Sequence, residues 1–241
     1  MAKQPHLLVE DGDLADIALL PGDPDRVERI AAHCSDTEVV ATNREYEIVN
    51  GEYGGRSVTI CSTGIGSPSA AIAVEELAAV GVETFIRVGT TGALQSGIEI
   101  GDTVVATAAA KDEGTTKRYE SETIPAAADY DVLSALVDAA ETRDAPVRTG
   151  PIVTDDAFYA ETEAYTEAWE EAGLLAVEME AAAIFALARR KGLAAGAICT
   201  VDGNLIEGTQ KGETDEEELP EQAKNNVGRT IEIALEAARE L

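Results

Sequence analysis

Three arginines stand out in a chain poor in cations, two of them beside glycine-rich strand ends. Arg26 sits in the first turn after Pro21-Gly22-Asp23-Pro24. Arg87 lies in the apolar run that feeds Gly89-Thr90-Thr91-Gly92, and Arg44 belongs to Asn43-Arg44-Glu45-Tyr46. Small residues leave backbone N–H groups open to a ligand, and a guanidinium fork meets two oxygens at once. Together they suit a polyatomic oxyanion. A surface arginine is ordinarily no more than a solvated ion-pair partner. Arg26 and Arg87 stand apart because each is beside a glycine-rich strand end.

Two further groups could work beside an anion. Val177-Glu178-Met179-Glu180 opens an alanine-rich helical stretch. Carboxylates there are stabilised by the helix macrodipole alone, or one of them grips vicinal hydroxyls of a sugar. Thr200-Val201-Asp202-Gly203-Asn204 ends an apolar run, where ligands of parallel sheets sit. Asp-Gly is a common turn pair. Burial beside apolar neighbours would instead raise the Asp202 pKa and make it a proton donor.

Other chemistries find little support. Gly64-Ile65-Gly66 lacks the third glycine of a dinucleotide fingerprint, and no Gly-Lys-Ser/Thr occurs. His6 and His33 are too few and too separated for a metal site. No Ser-His-Asp or Cys-His arrangement can be argued. Cys34, Cys61 and Cys199 have no paired spacing and read as reduced core thiols.

The elements that must position these residues follow an α/β pattern, with short apolar runs ending in glycine and then helical stretches. The expectation is one domain over residues 1–241, a mixed, mostly parallel sheet flanked by helices. Strands are expected at Ile17–Leu20, Val58–Ser62, Phe85–Val88, Val104–Ala110, Pro151–Val153 and Ala195–Val201. Asp23 should cap a helix starting at Pro24, and Ser67-Pro68 should be the cap and first residue of the helix through Ala70–Val80. Further helices are expected at Asp131–Glu141, Ala164–Glu171, Glu180–Arg190 and Glu221–Glu240. Gly89-Thr90-Thr91-Gly92 follows its strand without an immediate helix, so these glycines are expected to admit a ligand. The acidic stretch Glu207–Glu218 reads equally as a solvated linker or a lid.

Composition narrows the partners. The 46 Asp and Glu against 18 Lys and Arg give a formal net charge of −28, which argues against nucleic acid or an anionic membrane and favours a small molecule. The acidity is spread along the chain, as in a halophile whose high salt screens self-repulsion. Nothing near the start reads as a signal segment, and no run approaches a bilayer span. A cytoplasmic location is expected.

Taken together, the motifs resemble one family, the hexameric nucleoside phosphorylases, which include uridine phosphorylase and bacterial-type purine nucleoside phosphorylase. The resemblance runs over nearly the whole chain. It is carried by Pro21-Gly22-Asp23-Pro24-Asp25-Arg26 and the residues to Ala31, by 61–69 (Cys-Ser-Thr-Gly-Ile-Gly-Ser-Pro-Ser), by 74–78 (Val-Glu-Glu-Leu-Ala) and by 87–93 (Arg-Val-Gly-Thr-Thr-Gly-Ala). It implies a nucleoside phosphorylase fold and cleavage of a nucleoside by inorganic phosphate, with no organic cofactor. Gly22, Arg26, Arg87 and Thr90 would hold phosphate, with Arg44 reaching in from a neighbouring subunit. Met179 and Glu180 would hold the ribose, and His6 of the neighbour would approach its 5′-hydroxyl. Gly92, Phe158 and Glu178 would border the base. Glu45, Ile65 and Ser69 match a monovalent-cation site, suited to K+. Sites shared in this way imply a homo-oligomer, a hexamer built as a trimer of dimers.

The departures concern the base. Uridine phosphorylases read uracil with a Gln and an Arg shortly after the Phe-Tyr pair, where this chain has Thr162 and Ala164. Val201-Asp202-Gly203 resembles one purine branch, in which the Asp protonates the purine. Uridine phosphorylase is the nearest family name and a purine enzyme the alternative. A nucleosidase or a silent nucleoside-binding protein could share the scaffold, but the phosphate arginines speak for phosphorolysis.

Overall fold

The computed structural model describes residues 3–209 and 221–241, with 221–225 described by their backbone only. The chain begins β1 (Ile17–Leu20), α1 (Pro24–Ala31), β2 (Ser35–Asn43), β3 (Tyr46–Tyr53), β4 (Arg56–Cys61), α2 (Ser67–Ala79) and β5 (Thr84–Ala93). It continues with β6 (Thr103–Asp112), β7 (Ala126–Ala127), α3 (Tyr130–Thr142), β8 (Val147–Asp155), α4 (Glu163–Glu171), β9 (Ala176–Glu178), α5 (Ala181–Lys191), β10 (Ala194–Asn204) and α6 (Glu221–Glu240). Short 3-10 turns lie at Thr116–Arg118 and Phe158–Ala160.

The sheet is mixed, as expected. β4, β1, β5 and β10 run parallel at its centre, and the β2–β3–β4 meander is antiparallel at one flank. At the other flank the sheet closes on itself, because β10 pairs with both β5 and β6 while β9 pairs with both β8 and β5. The strands β5, β10, β6, β8 and β9 therefore form a ring, from which β1, β4, β3 and β2 extend.

This topology creates a fork along β5. One edge of β5 pairs with β1 through Arg87 and with β9 only from Gly92 onward. Among the described residues, 88–91 thus have no strand on that side. Such a switch point, outside the carboxyl ends of parallel strands, is where α/β sheets take ligands.

Local sequence explains the flanks of the fork. Asp23 caps α1 with its side chain, accepting from Asp25 N at 3.0 Å, and Pro24 supplies the preset φ of a first helical residue. Gly66 rather than Ser67 occupies the cap position of α2, at φ 91°, so the expected serine cap is corrected. The Ser67 hydroxyl instead donates to the Met179 carbonyl at 3.0 Å. The Gly89–Gly92 segment is corrected too. It is strand, paired with β10 from Cys199 to Gly203. A Cβ on Gly92 would come within 2.3 Å of Leu205 Cδ1, so a larger residue there would require the Leu205 side chain to move.

One apolar cluster gathers Leu20, Phe85, Leu77, Ile184 and Phe185, with α2 and α5 packed together through small buried residues such as Ala70, Ala73, Ala181 and Ala188. A second, under α1, α3 and α6, holds Ile17, Ile60, Ile86, Leu136, Ile198 and Leu235. Each such side chain contributes about 1.5–3 kcal/mol when fully buried, which fixes the strands that carry the site. All three cysteines are free. No described helix is long and apolar enough to cross a membrane. Of the acidic stretch 207–218, residues 207–209 continue a turn closed by a bridge between Asn204 and Thr209, and the remainder lies outside the described residues.

Candidate active site

Arg87 points from β5 into the fork and is nearly sequestered from solvent, at 4 % exposure. Its Nε lies 2.6 Å from Glu178 Oε2 and its Nη2 lies 2.5 Å from Glu180 Oε2. Burial works to lower the Arg87 pKa, but Glu180 and Glu178 outweigh it and hold it above its ordinary value. This guanidinium stays charged.

Glu178 and Glu180 arrive through the antiparallel pairing of β9 with β5, Gly92 opposite Val177. Glu178 is fully engaged by the protein. Besides Arg87, it accepts from the Thr154 hydroxyl at 2.5 Å and from the backbone N–H groups of Glu180 and Ala181 at about 3 Å, which start α5. The geometry gives it the work of orienting Arg87 and capping α5, although the resemblance places it beside the base. Glu180 accepts from the Gly66 N–H at 2.5 Å and so ties the start of α2 to the same cluster. Met179, between them, is half-buried.

Arg26 enters the fork from the opposite side. It is 7 % exposed, and its Nη1 makes a long 3.5 Å bond to the Val88 carbonyl on the open edge of β5. Among the described residues no carboxylate pairs with it. Burial lowers its pKa, and the Arg87 charge lowers it further. Two like charges are thus held together, and Arg26 Nε and Arg87 Nη1 have no acceptor among the described residues. A buried donor without an acceptor costs about 1–3 kcal/mol. An anion between the two guanidiniums would satisfy both donors and offset the repulsion.

Glycines line the approach. A Cβ on Gly22 would sit 3.4 Å from the Gly64 carbonyl, and Thr63 N donates to the Pro21 carbonyl at 2.9 Å, so the loops after β1 and β4 lie against each other. Gly89 packs on the Arg87 guanidinium, where a Cβ would come within 2.9 Å of its carbon. Thr90 lies in register with Thr200 of β10. A bulge between Val201 and Gly203 sets Asp202 out of the ladder at the end of the fork, half-buried.

The remaining expected residues lie at two outer positions. Phe158 is 39 % exposed on the 3-10 turn after β8, edge-on to Tyr159 with ring centroids 5.1 Å apart. On the other side, Arg44 is exposed at the turn between β2 and β3 with φ 57°, and Asn43 Nδ2 donates to the His6 carbonyl at 2.7 Å. His6 Nδ1 lies 2.5 Å from Glu76 Oε1, a buried carboxylate that also accepts from the backbone of His6 and Leu7. Neither His6 nor Arg44 touches the arginine pair within this chain.

Glu45 and Ser69 do meet. Ser69 Oγ donates to Glu45 Oε1 at 2.9 Å beside Gly64, and Ile65 is 79 % exposed one residue on. Glu45 is held below the usual carboxylate range, first by its own backbone N–H and then by Ser69. Among the described residues no three His, Cys, Asp or Glu side chains cluster as a metal site would require.

Sequence reading missed Thr154, Ser67 and Glu76, which hold Glu178, Met179 and His6. The signal for Thr154 was available, a hydroxyl ending the apolar run Pro-Ile-Val-Thr. Ser67 was visible only as a cap candidate, and Glu76 only as part of the 74–78 motif, with no role of its own.

A family profile described as the phosphorylase superfamily matches residues 16–239. A guanosine phosphorylase from Halorubrum lacusprofundi is 65 % identical over the full length of both chains. A uridine phosphorylase from Thermococcus kodakarensis is 42 % identical over 84 % of this chain and 78 % of its own. One from Escherichia coli is 37 % identical over 98 % and 97 %. The crystal structure of uridine phosphorylase from Vibrio fischeri complexed with 6-hydroxy-1-naphthoic acid superposes with a TM-score of 0.91 at 35 % identity, covering 100 % of this chain and 98 % of the other. By profile, sequence and fold, the chain belongs to the phosphorylase superfamily, among its nucleoside phosphorylases.

Proposed function

We propose that this protein transfers the pentosyl group of a nucleoside to inorganic phosphate, releasing the free base and a pentose 1-phosphate. The observation that carries this is the pair of buried guanidiniums at the fork, one oriented by two carboxylates and the other with no ion pair among the described residues. Phosphate held by Gly22, Arg26, Arg87 and Thr90 would attack the anomeric carbon below the sugar, while Glu180 and Met179 fix the ribose. The protein then supplies position and charge rather than a covalent nucleophile, and the arginines stabilise charge as the glycosidic bond breaks.

The scaffold and the phosphate half support the uridine phosphorylase likeness. For the base, a purine is favoured by specific features. Thr162 Oγ1 caps α4, accepting from Tyr165 N at 3.3 Å, Ala164 has no polar group, and the full-length relative at 65 % identity is named a guanosine phosphorylase. Asp202, set out by its bulge, is the proton donor to purine N7 in this reading.

The exposed Arg44 and His6 complete the reading as contributions to a neighbouring copy, within a homo-oligomer assembled as a hexamer. Glu45 and Ser69 offer hard oxygen donors for K+, to which Ile65 can lend only its main-chain carbonyl. The charge of −28 supports a salt-rich cytoplasm and a role in nucleoside catabolism. The test is a panel of uridine, thymidine, inosine, guanosine and adenosine in high salt, with and without phosphate, read by absorbance and chromatography. Guanosine and inosine should be cleaved, with base and pentose 1-phosphate formed one to one. Equal base release without phosphate would replace this reading with a nucleosidase, and binding without turnover would replace it with a sensor.

A further inference from the structure

β5 sets Arg87, Gly89 and Thr91 on one face, because successive side chains of a strand alternate. A strand side chain leans along its strand, and Arg87 leans across the next position on its own face. A Cβ built on Gly89 would lie 2.9 Å from both the guanidinium carbon and Nη2 of Arg87. It would also lie 3.1 Å from Sγ of Cys199, the residue of β10 in register with Gly89. The guanidinium therefore occupies the space that a side chain at 89 would need. Thr91 completes the face, since its hydroxyl donates to the Val177 carbonyl at 2.7 Å and ties β9 to β5 one residue before Glu178.

A freely moving arginine would yield to an added methyl group at little cost. This one is buried and held, with Nε 2.6 Å from Glu178 and Nη2 2.5 Å from Glu180. Ordinary carbon contacts begin at about 3.5 Å, so alanine at 89 would displace the guanidinium by about half an ångström. Cys199, at 3.1 Å, leaves the methyl group little room to draw back toward β10. Nη1, which has no acceptor among the described residues, moves with the rest of the rigid plane. A misplacement of about 1 Å in such a site can cost about 100-fold in rate.

The geometry points to Gly89 as a positioning residue for phosphate: the space left by its missing side chain seats the Arg87 guanidinium, so that Glu178 and Glu180 fix that group with Nη1 left for the anion. This rests on the phosphate reading above. Gly89 acts through Arg87 and needs no contact with substrate.

The test uses the full-length protein in high salt. Calorimetric titration with inorganic phosphate should show about 10-fold weaker affinity in a folded Gly89→Ala variant. Steady-state kinetics should show a matching rise in the KM for phosphate and a smaller change in the KM for nucleoside. A double-mutant cycle, read by thermal unfolding without ligand, then asks whether Gly89 acts through Arg87. Gly89→Ala should lower Tm by roughly a few degrees in the wild-type background. In the Arg87→Ala background it should leave Tm equal or higher, because the vacated space takes the methyl group and alanine is favoured over glycine within a strand. A glycine needed only for the backbone or for Cys199 would lower Tm equally in both backgrounds, and that result overturns the proposal. Undiminished phosphate affinity in Gly89→Ala overturns it as well. Should Gly89→Ala fail to fold, the double variant decides: folding as well as Arg87→Ala alone supports the proposal, and failing to do so overturns it. A wild type that binds no phosphate would overturn the phosphate reading itself, an outcome told apart from failure of the Gly89 assignment because the cycle needs no ligand.

Discussion

The two ends of the fork are built differently. At the phosphate end, Arg87, Glu178 and Glu180 are buried and tied to Thr154, Gly66 and the start of α5 by bonds of 2.5–3.0 Å. At the end where the proposed reading puts the base, Phe158 is partly exposed and Tyr159 is 98 % exposed, and further along the same segment Glu161 is unpaired among the described residues. The first end suits an anion of fixed shape and is assembled before it arrives. The second is more open to solvent and less tied to its surroundings. Within the first end the arginines differ as well, since Arg87 is ion-paired with two carboxylates and Arg26, among the described residues, is ion-paired with none.

That difference sets the largest effects. Arg87→Ala should abolish phosphorolysis by about three orders of magnitude and destabilise the fold by about 3–5 kcal/mol, because Glu178 and Glu180 lose their buried counter-charge. Denaturant unfolding and steady-state assays in high salt would show both. Arg26→Ala separates the two effects. Phosphate use should fall about 100-fold or more, while stability stays equal or rises, since a buried charge repelled by Arg87 is removed. A matching loss of stability would erase the contrast between the arginines.

Thr154→Val tests the support beneath Glu178. It removes a donor to that carboxylate and an acceptor for the Ala182 N–H, 2.9 Å away, and should cost about 1–3 kcal/mol in thermal or denaturant unfolding. The smallest effect belongs to the base end. The Glu161 pKa is raised in the folded state from 4.5 to about 7, so between these values the folded protein binds more protons than the unfolded chain. Its stability must fall as pH rises through that window. Glu161→Gln should flatten this fall, giving a higher melting temperature than wild type at pH 8 and no difference below about pH 4.5, where both states are protonated.

Local chemistry made much of the phosphate end legible in sequence. Asp23-Pro24 dictates the start of α1, Pro21-Gly22 ends a strand, and the apolar run before Gly89 places Arg87 within a buried strand. Long-range packing hid the rest. The strand was expected to stop at Val88, with the glycines beyond it admitting a ligand, but pairing with β10 carries β5 on through Gly89 and Gly92. The β2 strand is mostly exposed and polar, so no alternation announced it. Glu178 was visible as an acidic residue at a helix start, yet its hold on Arg87 depends on β9 meeting β5. Glu161 carried no signal at all, because its setting arises only once the turn after β8 is folded.

The most direct test of the central claim is a calorimetric titration of inorganic phosphate into the wild-type protein and the Arg26→Ala variant, in chloride at high ionic strength and with unfolding curves confirming both folds. One phosphate should bind per wild-type chain, and binding should be lost in the variant. Undiminished phosphate affinity in a folded Arg26→Ala protein would contradict the assignment of the fork as the anion site.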